Sequence, residues 1–189
     1  VRQSNQGVTN WLKGMDNLCV CEGHGTLESA NTVRVNDELL EADRIIINVG
    51  GRALVPEMPG VHDIPYLTNS TIMEVDFLAE HLIVVGGSYI GLEFAQIYRR
   101  FGSKVTVVQR NGRLVAREDE DVSAGIKDVL ENEGIEVRLN AECAAFEKRG
   151  SQIALTSNCP DGAQEIVGSH VLLAIGRIPN TDDLGLEAA

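Results

Sequence analysis

"HLIVVGGSYIGLEF", residues 81–94, decides the fold. An apolar run from Leu82 to Val85 stops at two glycines, and apolar residues then recur at helical spacing as Ile90, Phe94, Ile97 and Phe101. The run reads as a strand covered on both faces, and the repeat as an amphipathic helix over 89–101 that Gly102 ends. Gly86 permits a tight exit from the strand, and Gly91 lets the helix pack close to it. The amides between them, over Gly87, Ser88, Tyr89 and Ile90, open toward a helix start, where partial positive charge holds a pyrophosphate. In G-x-G-x-x-G register Ser88 stands in the second glycine position, where a side chain crowds the pyrophosphate. Gly87, one residue earlier, relieves that crowding, and the serine hydroxyl can hydrogen-bond phosphate.

Downstream, strand and helix alternate. Residues 104–108 read as a strand, and 117–134 as a second helix with acids in its first turn. That helix has Val122, Ile126, Val129 and Leu130 on one face and Gly134 as terminator. Strands are expected at 135–139, 144–148, 152–156 and 170–175. The first closes a doubly wound unit with a parallel sheet, and the last three form a β-meander covering one face. The fold class is therefore α/β: a Rossmann-like dinucleotide-binding domain over 77–189, following an incomplete segment over 1–76. In that segment 18–22 reads as a strand that puts Cys19 and Cys21 on one face as buried thiols. "TVRVNDELL" reads as a hairpin turning at Asn36-Asp37, and "ADRIIINVGG" as a buried strand. The stretch 52–68 reads as a proline-rich linker, and 70–78 as a short helical piece.

Composition narrows the function. A formal charge of −12 over 189 residues repels phosphate backbones and anionic lipid, so neither nucleic acid nor membrane is an expected partner. The apolar runs are too short to span a bilayer, and the first residues lack a secretory signal, so the default compartment is the cytoplasm. The four cysteines, Cys19, Cys21, Cys143 and Cys159, form no C-x-x-C pair, so no metal site is expected from them. The acidic run 118–121 reads as a solvated helix start.

The end of the second strand distinguishes the nucleotides. An acid there binds the adenosine ribose 2′-hydroxyl, whereas a neutral residue followed by Arg suits a 2′-phosphate. This chain has "VVQRNGR", with Gln109 in place of the acid and Arg110 and Arg113 available for charge-assisted bonds. NADPH is favoured over NADH, although Gln109 can also accept a ribose hydrogen bond.

Four motifs in order, "NVGGRALVPEMPG", "GGSYIGLEFAQ", "FGSKVTVVQR" and "LLAIGRIPNTDDLGLE", resemble the pyridine nucleotide-disulfide oxidoreductases, the group of mercuric reductase, dihydrolipoamide dehydrogenase and glutathione reductase. "REDEDVS" and "QRN" lean toward the mercuric reductase-like branch. The resemblance implies a flavoprotein in which NADPH passes hydride to FAD, and a homodimer for the intact enzyme. It implies that 77–189 is a Rossmann-like NAD(P)-binding domain and 1–76 a partial FAD-binding domain segment with its linker, in which Gly25, Val49, Gly50 and Gly51 touch FAD. Tyr89 matches the aromatic gate over the flavin, and Glu93 the carboxylate near the nicotinamide that pairs with a flavin-side Lys. Cys143 matches a backbone contact on the adenine side, and Gly176 the close approach to the nicotinamide ribose. The family's first FAD glycine fingerprint, its redox-active C-x-x-x-x-C pair, the later GD motif and the C-terminal His-Glu pair have no counterpart here. A fragment, inactive by itself, is therefore expected; a noncatalytic dinucleotide-binding module is the alternative. The terminal acceptor stays open.

Overall fold

The computed structural model describes residues 2–189, which divide into two compact units. One comprises residues 51–178 and the other residues 1–50 with 179–189.

The smaller unit begins with helix α1 (Arg2–Lys13), for which the sequence reading made no provision. A three-stranded antiparallel sheet follows, of β1 (Gly25–Ser29), β2 (Thr32–Val35) and β3 (Glu38–Glu41). The hairpin turns where expected, with Asn36 at φ 53°. Two expected strands do not form. Residues 18–22 are irregular, with Cys19 exposed and Cys21 half-buried, so these thiols are not core residues. The "RIIIN" run is likewise irregular, and Ile46 is 90% exposed. A strand needs a neighbour for its amides and carbonyls, and neither stretch meets one among the described residues.

In the larger unit the proline-rich stretch is more than a linker. It carries β4 (Gly51–Ala53) and β5 (Tyr66–Leu67), and it buries Val61 and Ile64. The helical piece expected over 70–78 shrinks to a single 3-10 turn, Thr71–Met73. Then come β6 (His81–Val85), α2 (Tyr89–Phe101), β7 (Lys104–Val108), α3 (Glu120–Asn132) and β8 (Glu136–Arg138). Three longer strands follow: β9 (Glu142–Arg149), β10 (Gln152–Cys159) and β11 (Gly162–Gly168). The last strands are β12 (His170–Leu173) and β13 (Arg177–Pro179), the latter paired with β4.

The order β5-β12-β6-β7-β8 makes a five-stranded parallel sheet. Its strands alternate between two cores, which is why their sequences are continuously apolar. Leu82, Val84, Val105, Val107 and Leu172 face α2 and α3, meeting Leu92, Ala95, Tyr98 and Leu130. Ile83, Val85, Val108, Val171 and Leu173 face the antiparallel meander β9-β10-β11, meeting Phe146, Ile153, Leu155 and Ile166. The meander is present, but its third strand is β11. The 170–175 segment assigned to it lies instead in the parallel sheet, between β5 and β6.

The apolar faces read on both helices also change: on α2, Ile97 and Phe101 are 42% and 69% exposed, while Leu92, Ala95 and Tyr98 pack inward, and the face read on α3 is buried only in part. Leu130 is buried, but Val122 is 44% and Val129 51% exposed. Ser123 takes an inward position instead, donating its buried hydroxyl to the Leu114 carbonyl at 2.9 Å.

Candidate nucleotide site

The chain runs from β6 outward through β7 to β8 and then returns to place β12 on the other side of β6. The loops after β6 and β12 therefore diverge at a topological switch point, the place where open parallel sheets hold ligands. There the structure brings together 86–91, the end of β7 at Gln109, and 174–176. The Gly86 amide donates to the Val108 carbonyl at 2.9 Å, and the Ala174 amide to the Val85 carbonyl at 2.8 Å.

Gly86 sits at φ 113°, and a Cβ on it would collide with the Ala174 carbonyl oxygen. A Cβ on Gly91 would collide with the Gly86 carbonyl oxygen and crowd Ala174. These two glycines bring the helix start onto the turn. Ser88 is the residue before the helix, with extended backbone, and its side chain caps no amide of α2. It is exposed, so no part of the chain is crowded by it. The first-turn amides of α2 have no acid beside them, while Arg99 and Arg100 at the other end favour the helix dipole.

Gln109 is half-buried, and its side-chain oxygen accepts from the Gly87 amide at 3.1 Å. Arg110 is exposed. Arg113 is half-buried; it donates to the Ala116 carbonyl at 2.9 Å and lies 3.8 Å from Glu120. It lines a cavity of about 630 Å³ with Asn111, Leu114, Lys127 and Leu139.

Tyr89, 62% exposed, and the exposed Glu93 line a second groove, of about 440 Å³, with Leu92, Val122, Ile126 and Val129. Because α2 starts at Tyr89, Glu93 lies beyond its first turn, so the dipole does not account for an acid at this position. Cys143 sits in β9 against the meander-side core. Burial, with the neighbouring Glu142 charge, pushes its thiol up to about 12, so the side chain stays protonated and only its backbone is suited to polar contact. A Cβ on Gly176 would meet only Leu54, at 3.5 Å, so the space beside it is open, while its backbone at φ 159° favours glycine by itself.

Gly25, Val49, Gly50 and Gly51 belong to other segments. Gly25 opens β1, in the smaller unit. Asn180 donates through its side chain to the Val49 carbonyl at 3.1 Å and through its amide to the Gly50 carbonyl at 3.2 Å. Arg177 donates to the Gly51 carbonyl at 2.7 Å. Two quoted motifs, "NVGG" and "GRIPN", are thus tied together. Sequence reading missed Leu114 and Val115, which pack on the glycine turn; nothing in "GRLVAR" marks them. Ala174 was also missed, although a small residue just before "IGR" is the signal that could have found it. Among the described residues no three His, Cys, Asp or Glu side chains gather as a metal site, and no helix is long and apolar enough to cross a membrane.

The family profile for pyridine nucleotide-disulphide oxidoreductases matches residues 1–189. The chain belongs to that family. It is 40% identical over 171 residues to a mercuric reductase of Streptomyces lividans, covering 87% of the chain and 36% of the relative. It is 32% identical over 192 residues to a dihydrolipoyl dehydrogenase of Geobacillus stearothermophilus, covering 99% and 40%. The HOCl-induced flavoprotein disulfide reductase RclA from Escherichia coli superposes with a TM-score of 0.84 at 29% identity, over 99% of this chain and 44% of that one. The chain spans less than half the length of these relatives.

Proposed function

We propose that this chain is the pyridine-nucleotide-binding part of an FAD-dependent oxidoreductase, with residues 77–189 holding NADPH and residues 1–76 contributing to the FAD-binding part. The observation that carries the reading is the uncapped start of α2, drawn against β6 by Gly86 and Gly91 at the switch point. This suits a diphosphate: the Ser88 side chain claims none of the first-turn amides, and its hydroxyl is free to donate to a phosphate oxygen. Arg110 supplies a charge at the end of β7, where a 2′-phosphate would lie. Gly176 leaves room for the nicotinamide ribose, and Tyr89 and Glu93 stand beside the nicotinamide. Gly25, Val49, Gly50 and Gly51 contribute backbone toward FAD. In such an enzyme the reduced nicotinamide supplies a hydride and FAD accepts it. The chain's own task is to bind and orient, which lowers the entropic part of the barrier. The intact enzyme would be a cytoplasmic homodimer.

Calorimetric titration of the purified chain with NADPH and NADH tests this. NADPH should bind more tightly, and Arg110→Glu should cut NADPH affinity by about tenfold or more, as expected for loss of a charge-assisted bond. A ratio near one, or favouring NADH, would overturn the NADPH assignment. Absence of binding by both would overturn the site.

A further inference from the structure

Gln109 bonds at both ends of its side-chain amide. Its oxygen accepts from the Gly87 amide at 3.1 Å, and its nitrogen donates to the Arg113 carbonyl at 3.3 Å. The segment it reaches is bound to the same glycine from the other side: the Val115 amide donates to the Gly87 carbonyl at 2.8 Å. Both polar groups of Gly87 are therefore engaged by the stretch that follows β7. A Cβ on Gly87 would fall 2.6 Å from a Leu114 methyl and 3.1 Å from the Gln109 Cβ. A side chain on Gly87 would thus displace the Leu114 and Gln109 side chains that pack on it from within the chain. A second observation is the backbone of Val115, at φ 39°, a left-handed conformation that a β-branched residue adopts only when its surroundings impose it. The imposing contacts include the Gly87 bond and the Ser123 hydroxyl, which donates to the Leu114 carbonyl at 2.9 Å.

We infer that Gln109 is a positioning residue that latches the glycine turn to the strained Arg113–Val115 segment, so that the diphosphate seat and the arginine-bearing segment are held as one unit. The inference rests on the reading of the turn as a diphosphate seat. It assigns Gln109 a role other than ribose reader, since one bond accepted and one donated hold its amide on two backbone groups of the turn. It also removes the Gly87 amide from the donors offered to phosphate, leaving the Ser88 hydroxyl and the first turn of α2. Glutamine suits the latch because it accepts and donates at once. A carboxylate accepts from Gly87 but cannot donate to the Arg113 carbonyl, and methionine fills the space but does neither.

The test compares the full chain with Gln109→Met and Gln109→Glu by amide hydrogen exchange and by calorimetric titration with NADPH and NADH. In Gln109→Met, exchange at Gly87 and Val115 should accelerate by about tenfold or more, the change expected from loss of one hydrogen bond, while Gly86, bonded to Val108, stays protected. NADPH affinity should fall at least as much as NADH affinity, because the arginine-bearing segment is freed. Gln109→Glu should keep Gly87 protected. Unchanged exchange at Gly87 and Val115 in Gln109→Met would overturn the latch, as would a loss confined to NADH, the mark of a direct contact to the ribose hydroxyl. If the wild-type chain binds neither nucleotide, the seat reading fails, and the exchange comparison still decides the latch.

Discussion

Ser88 precedes a thirteen-residue helix in the position where serine ordinarily bonds an early amide, yet it makes no such bond. Ser88→Ala should therefore leave thermal stability within about 0.5 kcal/mol of the wild type, where loss of a working cap costs about 1 kcal/mol. The same substitution should weaken NADPH binding in calorimetry if the hydroxyl serves the phosphate. Gly91→Ala is the opposite case. Its added methyl has backbone against it, the Gly86 carbonyl, and so cannot be accommodated by turning a side chain. Urea unfolding should show a loss of about 1–3 kcal/mol, and nucleotide binding should fall with it. Gly86, Gly91 and the register of Ser88 were legible from spacing alone. The fate of Gln109 was not, because one residue type serves a ribose, a backbone amide or solvent equally well until its neighbours are known.

At the scale of elements, a polar chain runs from the first residue of β6 through the middle of β7 to β8. His81 Nε2 lies 2.9 Å from the hydroxyl of Thr106, which is fully buried. That hydroxyl donates to Glu136 at 2.9 Å, and Arg138 meets the other Glu136 oxygen at 2.7 Å. Burial, then the Lys104 charge, holds the His81 imidazole below its usual range. Burial pushes the Glu136 carboxyl up, but the hydrogen bonds from Arg138 and Thr106 outweigh it and leave it below the usual range. Both shifts have the same sign in linkage, since the unfolded chain binds more protons than the folded one between the two states' pKa values. Stability is present above the unfolded histidine value of about 6.5 and is lost as pH falls toward the folded value, with a further loss below about 4.5 from Glu136. Urea midpoints should drop between pH 7.5 and 5.5, and His81→Gln, neutral throughout, should flatten part of that drop.

β6 and β7 were read correctly because each is a continuous apolar run between clear stops; α2 and α3 were found by their stops, but the faces read as apolar are only in part the ones that pack inward. β11 escaped because Ala163, Gln164 and Glu165 are all exposed and only Ile166 and Gly168 turn inward, so too little of the strand shows an apolar pattern. Residues 170–173 were read as a strand but given the wrong neighbours. Apolar content says that both faces are covered; it does not say by which layers.

At the scale of the whole molecule, the irregular run with Ile46 and Ile47, 90% and 48% exposed, is a β-prone segment with an open face. Ile46→Ser should leave the melting temperature within about a degree or two, as for surface substitutions generally, and should reduce light scattering of concentrated samples. Unchanged scattering would show that this run does not drive self-association.

By itself the sequence determined the α/β class, the alternating strands and helices from His81 to Asn132, and the glycine turn, because each follows from local spacing and from the conformations glycine alone permits. Only the tertiary structure decided that β12 lies beside β6, that a proline-rich stretch contributes β5, that 18–22 and the "RIIIN" run form no strand, and that Gln109 bonds Gly87 and Arg113. Pairing and side-chain partnership are relations between distant residues. They are set by which surfaces remain to be buried once the local elements have formed.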